Sequence, residues 1–230
     1  ARVMESSCMT HLVYLYHHLP KCGGVSFIDA CSKWFPDLRE QTGSYPTPEQ
    51  TAEFARTRLD FNALPPNCFV HGHLVREGIR PFERYGDHIA SGHCRLVTTV
   101  RDPLERHISA YYHRRKVGKE WPEPLERWLE YGRNPMAKYL DADASNWKER
   151  LDAYLVVGTT EALQLTVDVF AARTGNPRVE VAHLNASPRD HASLTGEAVE
   201  LFKSRNPIDY RIFEYATQRL RDDAKLLGLV

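Results

Sequence analysis

Lys21, Gly23, Gly24 and Ser26 are set close together in LVYLYHHLPKCGGVSF, residues 12–27, and that spacing suits a bound anion. The stretch runs as an apolar, β-favouring segment over 12–16, breaks at Pro20 and restarts as a helix near Val25 or Ser26. A strand that turns through glycines into a helix N-terminus offers N–H groups outside the helical ladder and the positive end of the helix dipole. Glycine also lets a ligand approach the backbone closely. Lys21 adds a full charge and Ser26 a hydroxyl. This is not the Walker A order, in which the lysine follows the glycines; here it precedes them. A second group is Arg101-Asp102-Pro103, at the end of the apolar run 95–100. An arginine there can give two parallel hydrogen bonds to phosphate oxygens, or it can pair with Asp102. The third is His71-Gly72-His73. Imidazole, with a reference pKa of ~6.5, can take a hydroxyl proton near neutral pH, and either histidine could be that base.

These groups need elements to bring them together. The pattern predicts strands at 11–17, 68–71, 95–100 and 154–157, with a further strand possible at 179–184. Helices are predicted over 25–34, from Thr47-Pro48 to about residue 59, and from Pro103 onward with Asp102 as N-cap. Leu104, Ile108, Tyr111 and Tyr112 share one face of the helix after Pro103. A helix opens at Gly158-Thr159-Thr160-Glu161 and runs to about residue 173, and two more cover 195–204 and 207–227. Residues 36–48 read as loop, 117–150 as short helices without a strand, and 1–10 as a flexible lead-in. Strands alternating with helices imply an α/β fold: one domain over 1–230, with a central parallel sheet flanked by helices. Ligands in such folds bind at the carboxyl ends of strands, where the loop, both histidines, Arg101 and Gly158 fall.

PKCGGVSF resembles the 5′-phosphosulfate loop of sulfotransferases that use 3′-phosphoadenosine 5′-phosphosulfate (PAPS), a P-loop-like strand-loop-helix whose usual form is PKTGGTS or PKTGSTS. The resemblance is to the branch of heparan, chondroitin and uronyl 2-O-sulfotransferases. It implies that Lys21, Cys22, Gly23, Gly24, Val25 and Ser26 hold the 5′-phosphosulfate, although Cys22 and Val25 replace two threonines of the pattern. VTTVRDPLERHISAYY, residues 97–112, is similar to the family's 3′-phosphate motif, in which an arginine is followed eight positions later by a serine, here Arg101 and Ser109. HGH resembles the segment carrying the catalytic base, which makes His73 the first candidate and His71 an orienting or substrate-contacting neighbour, with the order reversible. Lys21 would stabilise charge on the departing phosphate. Weaker likenesses lie at 157–161, 184–187 and 206–216, so the resemblance runs from about residue 12 to 216. The implied co-substrate is PAPS, with no metal, and the implied acceptor is a hydroxyl on a glycan or glycoconjugate.

Thirty basic and thirty acidic residues cancel in a chain of 230, which speaks against a general nucleic-acid binder and for a local anion site. The cysteines Cys8, Cys22, Cys31, Cys68 and Cys94 are odd in number and scattered, as free thiols of a reducing compartment would be. No apolar run reaches the ~20 residues of a membrane span. The start at Ala1 leaves a tag, a processed end or a trimmed anchor open. A bacterial source would imply the cytoplasm, and a eukaryotic one the Golgi lumen. Zinc at Cys68, His71, His73, His93 and Cys94 would lack paired ligand spacing. Arg114, Arg115, Lys116 and Lys119 form either a solvated helix end or a seat for an acidic acceptor. Trp121, Trp128 and Trp147 are core residues or sugar-stacking faces, and Asn185-Ala186-Ser187 fits a glycosylation tripeptide. Two rival functions remain: a nucleotide-dependent phosphotransferase, and a non-catalytic nucleotide- or glycan-binding module.

Overall fold

Strand β1 (Val13–His17) has both edges occupied, by β3 (Cys68–Gly72) on one side and β4 (Cys94–Val100) on the other. In the computed structural model, which describes residues 12–40, 47–118, 124–182 and 194–230, β2 (Asp37–Arg39) pairs with β3, and β5 (Tyr154–Thr159) pairs with β4. All pairs are parallel, and the order is β2-β3-β1-β4-β5. The described chain is thus one α/β domain with a central five-stranded parallel sheet flanked by helices.

Helices on both faces explain why β1 is buried at every position instead of alternating with polar residues. Val13 and Leu15 pack with Leu96, Val157, Met136, Leu151 and Ile212, whereas Tyr14 and Tyr16 pack with Phe27, Phe69, Val167 and Phe170. The second layer is supplied by α1 (Gly24–Cys31) and α8 (Leu163–Thr174). The first is supplied by α6 (Pro135–Tyr139), α7 (Trp147–Asp152) and α10 (Pro207–Leu226). The register sets His17 beside Gly72 and beside Thr98, so three loops leave the carboxyl edge side by side.

Capping follows the residue types. Thr47 and Gln50 form a capping box at α2 (Pro48–Arg56), and Asp102 accepts the Glu105 N–H at 2.9 Å with Pro103 at the first position of α4 (Pro103–Lys116). Asn134, Asn206 and Asp209 cap two helices at once. The Asp209 carboxylate accepts the N–H groups of Met136 and Ala137 at 3.0 and 2.8 Å, while Asn134 Oδ1 accepts those of Ile208 and Asp209.

Several expectations need correction. Residues 37–39, read as loop, form edge strand β2; only Leu38 is apolar there, so no run marked it. The helix α3 (Pro81–Ala90) carried no anticipated signal; it starts on a proline, with the Glu83 carboxylate taking the Arg80 N–H at 3.0 Å. Gly158 and Thr159 belong to β5, and α8 begins only at Leu163. A Cβ at 158 would lie 1.9 Å from Thr166, so that glycine lets α8 pack on the strand. Residues 179–182 form no strand, and 183–184 lie outside the described residues, as do 1–10, Cys8, Lys119, Trp121 and 185–187. Trp128 is core, donating to the His107 carbonyl at 3.0 Å, and half-buried Trp147 meets Tyr215 edge-on. Arg114 and Arg115 lie over the rings of Trp128 and Tyr111.

Burial of two histidines predicts acid lability. His17, bonded to the Tyr154 hydroxyl at 2.8 Å, has its pKa lowered to about 3 by burial, and His107, against Trp128, to about 4. The unfolded chain takes up these protons first as pH falls through ~6.5, so the stability they contribute is present above that value and is lost on the way down. Between pH 7 and 5 each should cost about 2 kcal/mol. Asp209 acts in the opposite sense. Burial raises its pKa to about 6, so protonation over the same range returns about 1 kcal/mol. Urea unfolding at both pH values should show a net loss, roughly 2 kcal/mol smaller in His107→Gln. A loss as large in that variant as in the wild type would remove His107 from the account.

Candidate active site

The turn from β1 to α1 is bent by two left-handed residues, Lys21 (φ 69°) and Gly23 (φ 78°). Glycine adopts this conformation freely, whereas for lysine it costs about 1 kcal/mol. Side chains hold the turn from below by its carbonyls. Thr99, itself bonded to the Tyr16 hydroxyl at 2.5 Å, donates to the Cys22 carbonyl at 2.7 Å. Arg106 Nε donates to the Pro20 carbonyl at 3.3 Å and Arg101 to the Lys21 carbonyl at 3.5 Å. The helical ladder of α1 first closes from the Phe27 N–H to the Gly23 carbonyl, so the N–H groups of Gly24, Val25 and Ser26 precede it. Gly23 has no side chain to cap them, and no acidic residue sits in the first turn. A helix start of this kind suits an anion.

The individual residues contribute differently. Cys22 is fully buried among Val13, Leu19 and Val100, with its thiol pushed up to about 12 by burial. Its side chain contributes core packing, with the thiol 3.7 Å from the Pro20 carbonyl, so any part of Cys22 in anion binding would fall to its backbone. Val25 is half exposed at the first turn of α1, and Ser26 is buried. Gly24 touches the His18 ring so closely that a Cβ there would lie 2.1 Å from it. Arg101 leaves the end of β4 and pairs with Glu105 at 3.3 Å rather than with Asp102, whose N–H is taken by Glu161 at 3.1 Å. Ser109 lies buried about two turns further along α4.

The two candidate bases separate by environment. His71 is buried within β3, in register between Tyr16 and Arg39. His73 stands just past the strand and remains partly exposed. Its Nδ1 lies 2.8 Å from the His18 carbonyl, and its ring stacks on that of His18 at 4.0 Å. Burial lowers the pKa of His73, and Arg39, His71 and Lys21 lower it further, against the raising effect of the His18 carbonyl. The group is therefore neutral at pH 7, with a lone pair to offer. Lys21 also depresses His113 of α4, after the effect of burial, so its ammonium acts on α4 as well as on His73.

The structure thus brings Lys21, Gly23, Gly24, Val25, His73 and Arg101 to the carboxyl edge of the sheet, around β1, where neighbouring strands are reached by connections running in opposite directions. Sequence reasoning missed His18, Thr99 and Arg106 as its supports. His18 reads as a strand end, and a buried arginine inside an amphipathic helix reads as surface. Among the described residues no group of three or more His, Cys, Asp or Glu could hold a metal ion.

No protein-family model matches the chain, and no curated protein matches it in sequence. Solved structures do resemble it. The fold superposes on a sulfotransferase from Alicyclobacillus acidocaldarius with a TM-score of 0.54 at 13% identity, covering 90% of this chain and 98% of that one. It superposes equally, at 0.54 and 13% identity, on the mouse sulfotransferase SULT7A1 complexed with PAP, covering 90% of both chains. At such identity the likeness establishes the fold.

Proposed function

We propose that the protein is a sulfotransferase moving a sulfuryl group from PAPS to a hydroxyl of a carbohydrate. The observation that carries this reading is the turn at Lys21–Gly24, with a lysine, an uncapped helix start and a neutral histidine on one lip of the sheet. The fold's likeness to sulfotransferases and the PKCGGVSF, RDP and HGH resemblances support it.

PAPS supplies an activated sulfuryl group on a phosphate leaving group. The N–H groups of Gly24, Val25 and Ser26 hold the phosphosulfate end, and the held carbonyls of residues 20–22 keep the turn from collapsing onto it. Arg101, released from Glu105, grips the 3′-phosphate with Ser109 and so selects nucleotides that carry one. His73 takes the acceptor proton as the acceptor oxygen bonds to sulfur, and the bond from sulfur to the phosphate oxygen breaks. Lys21 stabilises the charge that appears on that oxygen. The products are a sulfate ester, 3′-phosphoadenosine 5′-phosphate (PAP) and the proton on His73.

Calorimetry with PAP, AMP and ATP–Mg²⁺ tests the site. PAP should bind about a hundredfold tighter than AMP, ~3 kcal/mol, from charge-assisted bonds to the 3′-phosphate. Arg101→Ala should bring the two ligands level. A preference for ATP–Mg²⁺ would make the protein a phosphotransferase. PAP binding without transfer to any glycan would leave only a binding module.

A further inference from the structure

We infer that His18 is the positioning residue for His73: its carbonyl holds the base in the tautomer that leaves Nε2 as proton acceptor, and its ring braces the base against the first residue of the anion-binding helix. This rests on the proposal that His73 is the base, and it assigns to the residue before the loop a role that no motif gives it.

The tautomer follows from the partner. A carbonyl oxygen carries no proton, so the 2.8 Å contact requires His73 Nδ1 to be the donor, and the neutral ring then has its lone pair at Nε2. The segment that carries the carbonyl is anchored beside it, because the His18 N–H donates to the Gly72 carbonyl at 3.0 Å. The two segments are therefore bonded in both directions: 18 to 72 through the backbone, and 73 to 18 through the ring. The acceptor side of the base cannot be chosen by rotation of an isolated side chain.

The ring of His18 does separate work. It stacks on His73 at 4.0 Å with 26° between planes, has Tyr16 beside it at 5.6 Å, and occupies the volume a Cβ on Gly24 would need. One flat side chain thus spans from the base to the helix start and fixes their separation, the quantity that in-line transfer depends on. It also keeps water from one face of His73. His18 itself stays neutral, since burial first, and then His73, His71, His17 and Arg39, hold its pKa well below the ordinary range. By covering one face of His73, the ring adds to the burial that opposes a proton there. The other groups facing His73 are Arg39 from β2, His71 from β3 and Lys21 from the loop, all of which oppose that proton.

Long-range ¹H–¹⁵N correlation of the histidine side chains, recorded on the full chain without nucleotide, tests this directly. The wild type should show His73 protonated at Nδ1 at pH 8 and titrating below ~6.5. In His18→Ala, where water reaches the exposed ring face, the His73 midpoint should rise by about half a unit or more, and His18→Phe should restore it. A destabilised but otherwise intact variant would not move that midpoint, which separates positioning from packing. A wild-type His73 protonated at Nε2 would overturn the inference, as would a midpoint unmoved by His18→Ala. If the alanine variant fails to fold, the wild-type tautomer and the phenylalanine variant still decide. The sulfotransferase reading fails by a different route, through absent PAP binding in the wild type.

Discussion

Lys21→Ala should lower sulfuryl transfer by about a hundred- to a thousandfold, the scale of removing one preorganised group from a developing charge. The assay is transfer of a radiolabelled sulfuryl group from PAPS to a non-sulfated uronic-acid polysaccharide. The fold should survive, because the lysine contributes its carbonyl to the turn, as acceptor for Arg101, and the alanine keeps that carbonyl. Alanine also inherits the left-handed φ of 69° with the same steric cost, so the melting temperature should change little. Lys21→Gly sharpens the test. Glycine relieves the strained φ and should gain about 1 kcal/mol of stability, yet it should be as inactive as alanine. A Lys21→Gly protein that is both more stable and fully active would mean that position 21 shapes the turn and that the charge does nothing. Equal loss in both variants would assign the effect to the ammonium alone.

How far this site was legible depends on what each residue announces. The apolar run before Pro20, the glycine pair and Arg101-Asp102-Pro103 are local signals: each follows from backbone freedom, capping or a missing N–H, and each stands in the structure where its chemistry predicts. β2 was hidden because an edge strand of three residues needs only Leu38 to face the core, and its bonds come from β3 rather than from its own pattern. α3 was hidden because Tyr85 and Arg84, both buried, serve the Glu40 carboxylate, and a buried arginine makes a helix look like surface. Gly158 was misread for the converse reason. It carries a strong turn signal, but here it is a strand glycine that lets Thr166 approach.

The glycine pair carries a similar lesson about function. Gly23 is required by its positive φ, as an anion loop would need, but Gly24 is required by the ring of His18, whatever ligand binds. Thus part of the GG signature reports contact with the His18 ring rather than contact with phosphate. Cys22 makes the same point in reverse. At a position where the resembling loops place a hydroxyl, this chain places a buried thiol that fills the core beneath the turn, so on the proposed reading anion binding would fall to backbone N–H groups, Lys21 and Ser26.

His73→Ala should lower kcat by about a hundred- to ten-thousandfold, the range of a lost general base, with PAP affinity within about threefold of wild type. The two quantities separate because His73 lies at the end of β3, joined to His18 and Arg39's neighbourhood, while the nucleotide would be held by α1 and Arg101. The wild-type pH profile adds a sign. Burial first, and then Arg39, His71 and Lys21, lower the pKa of His73, so activity should persist below ~6.5 and fall only as pH drops through the lowered value. Above it the base is neutral and the rate should level off. Replacing Arg39, which contributes to that lowering from the exposed edge strand, should move the acid limb upward without removing the base. His71→Ala is the control for the alternative order. His71 is buried within β3, so its loss should cost packing more than turnover. If instead His71→Ala is the inactive variant and His73→Ala retains its acid limb, the base sits at 71 and the stacked pair of His18 and His73 is scaffold.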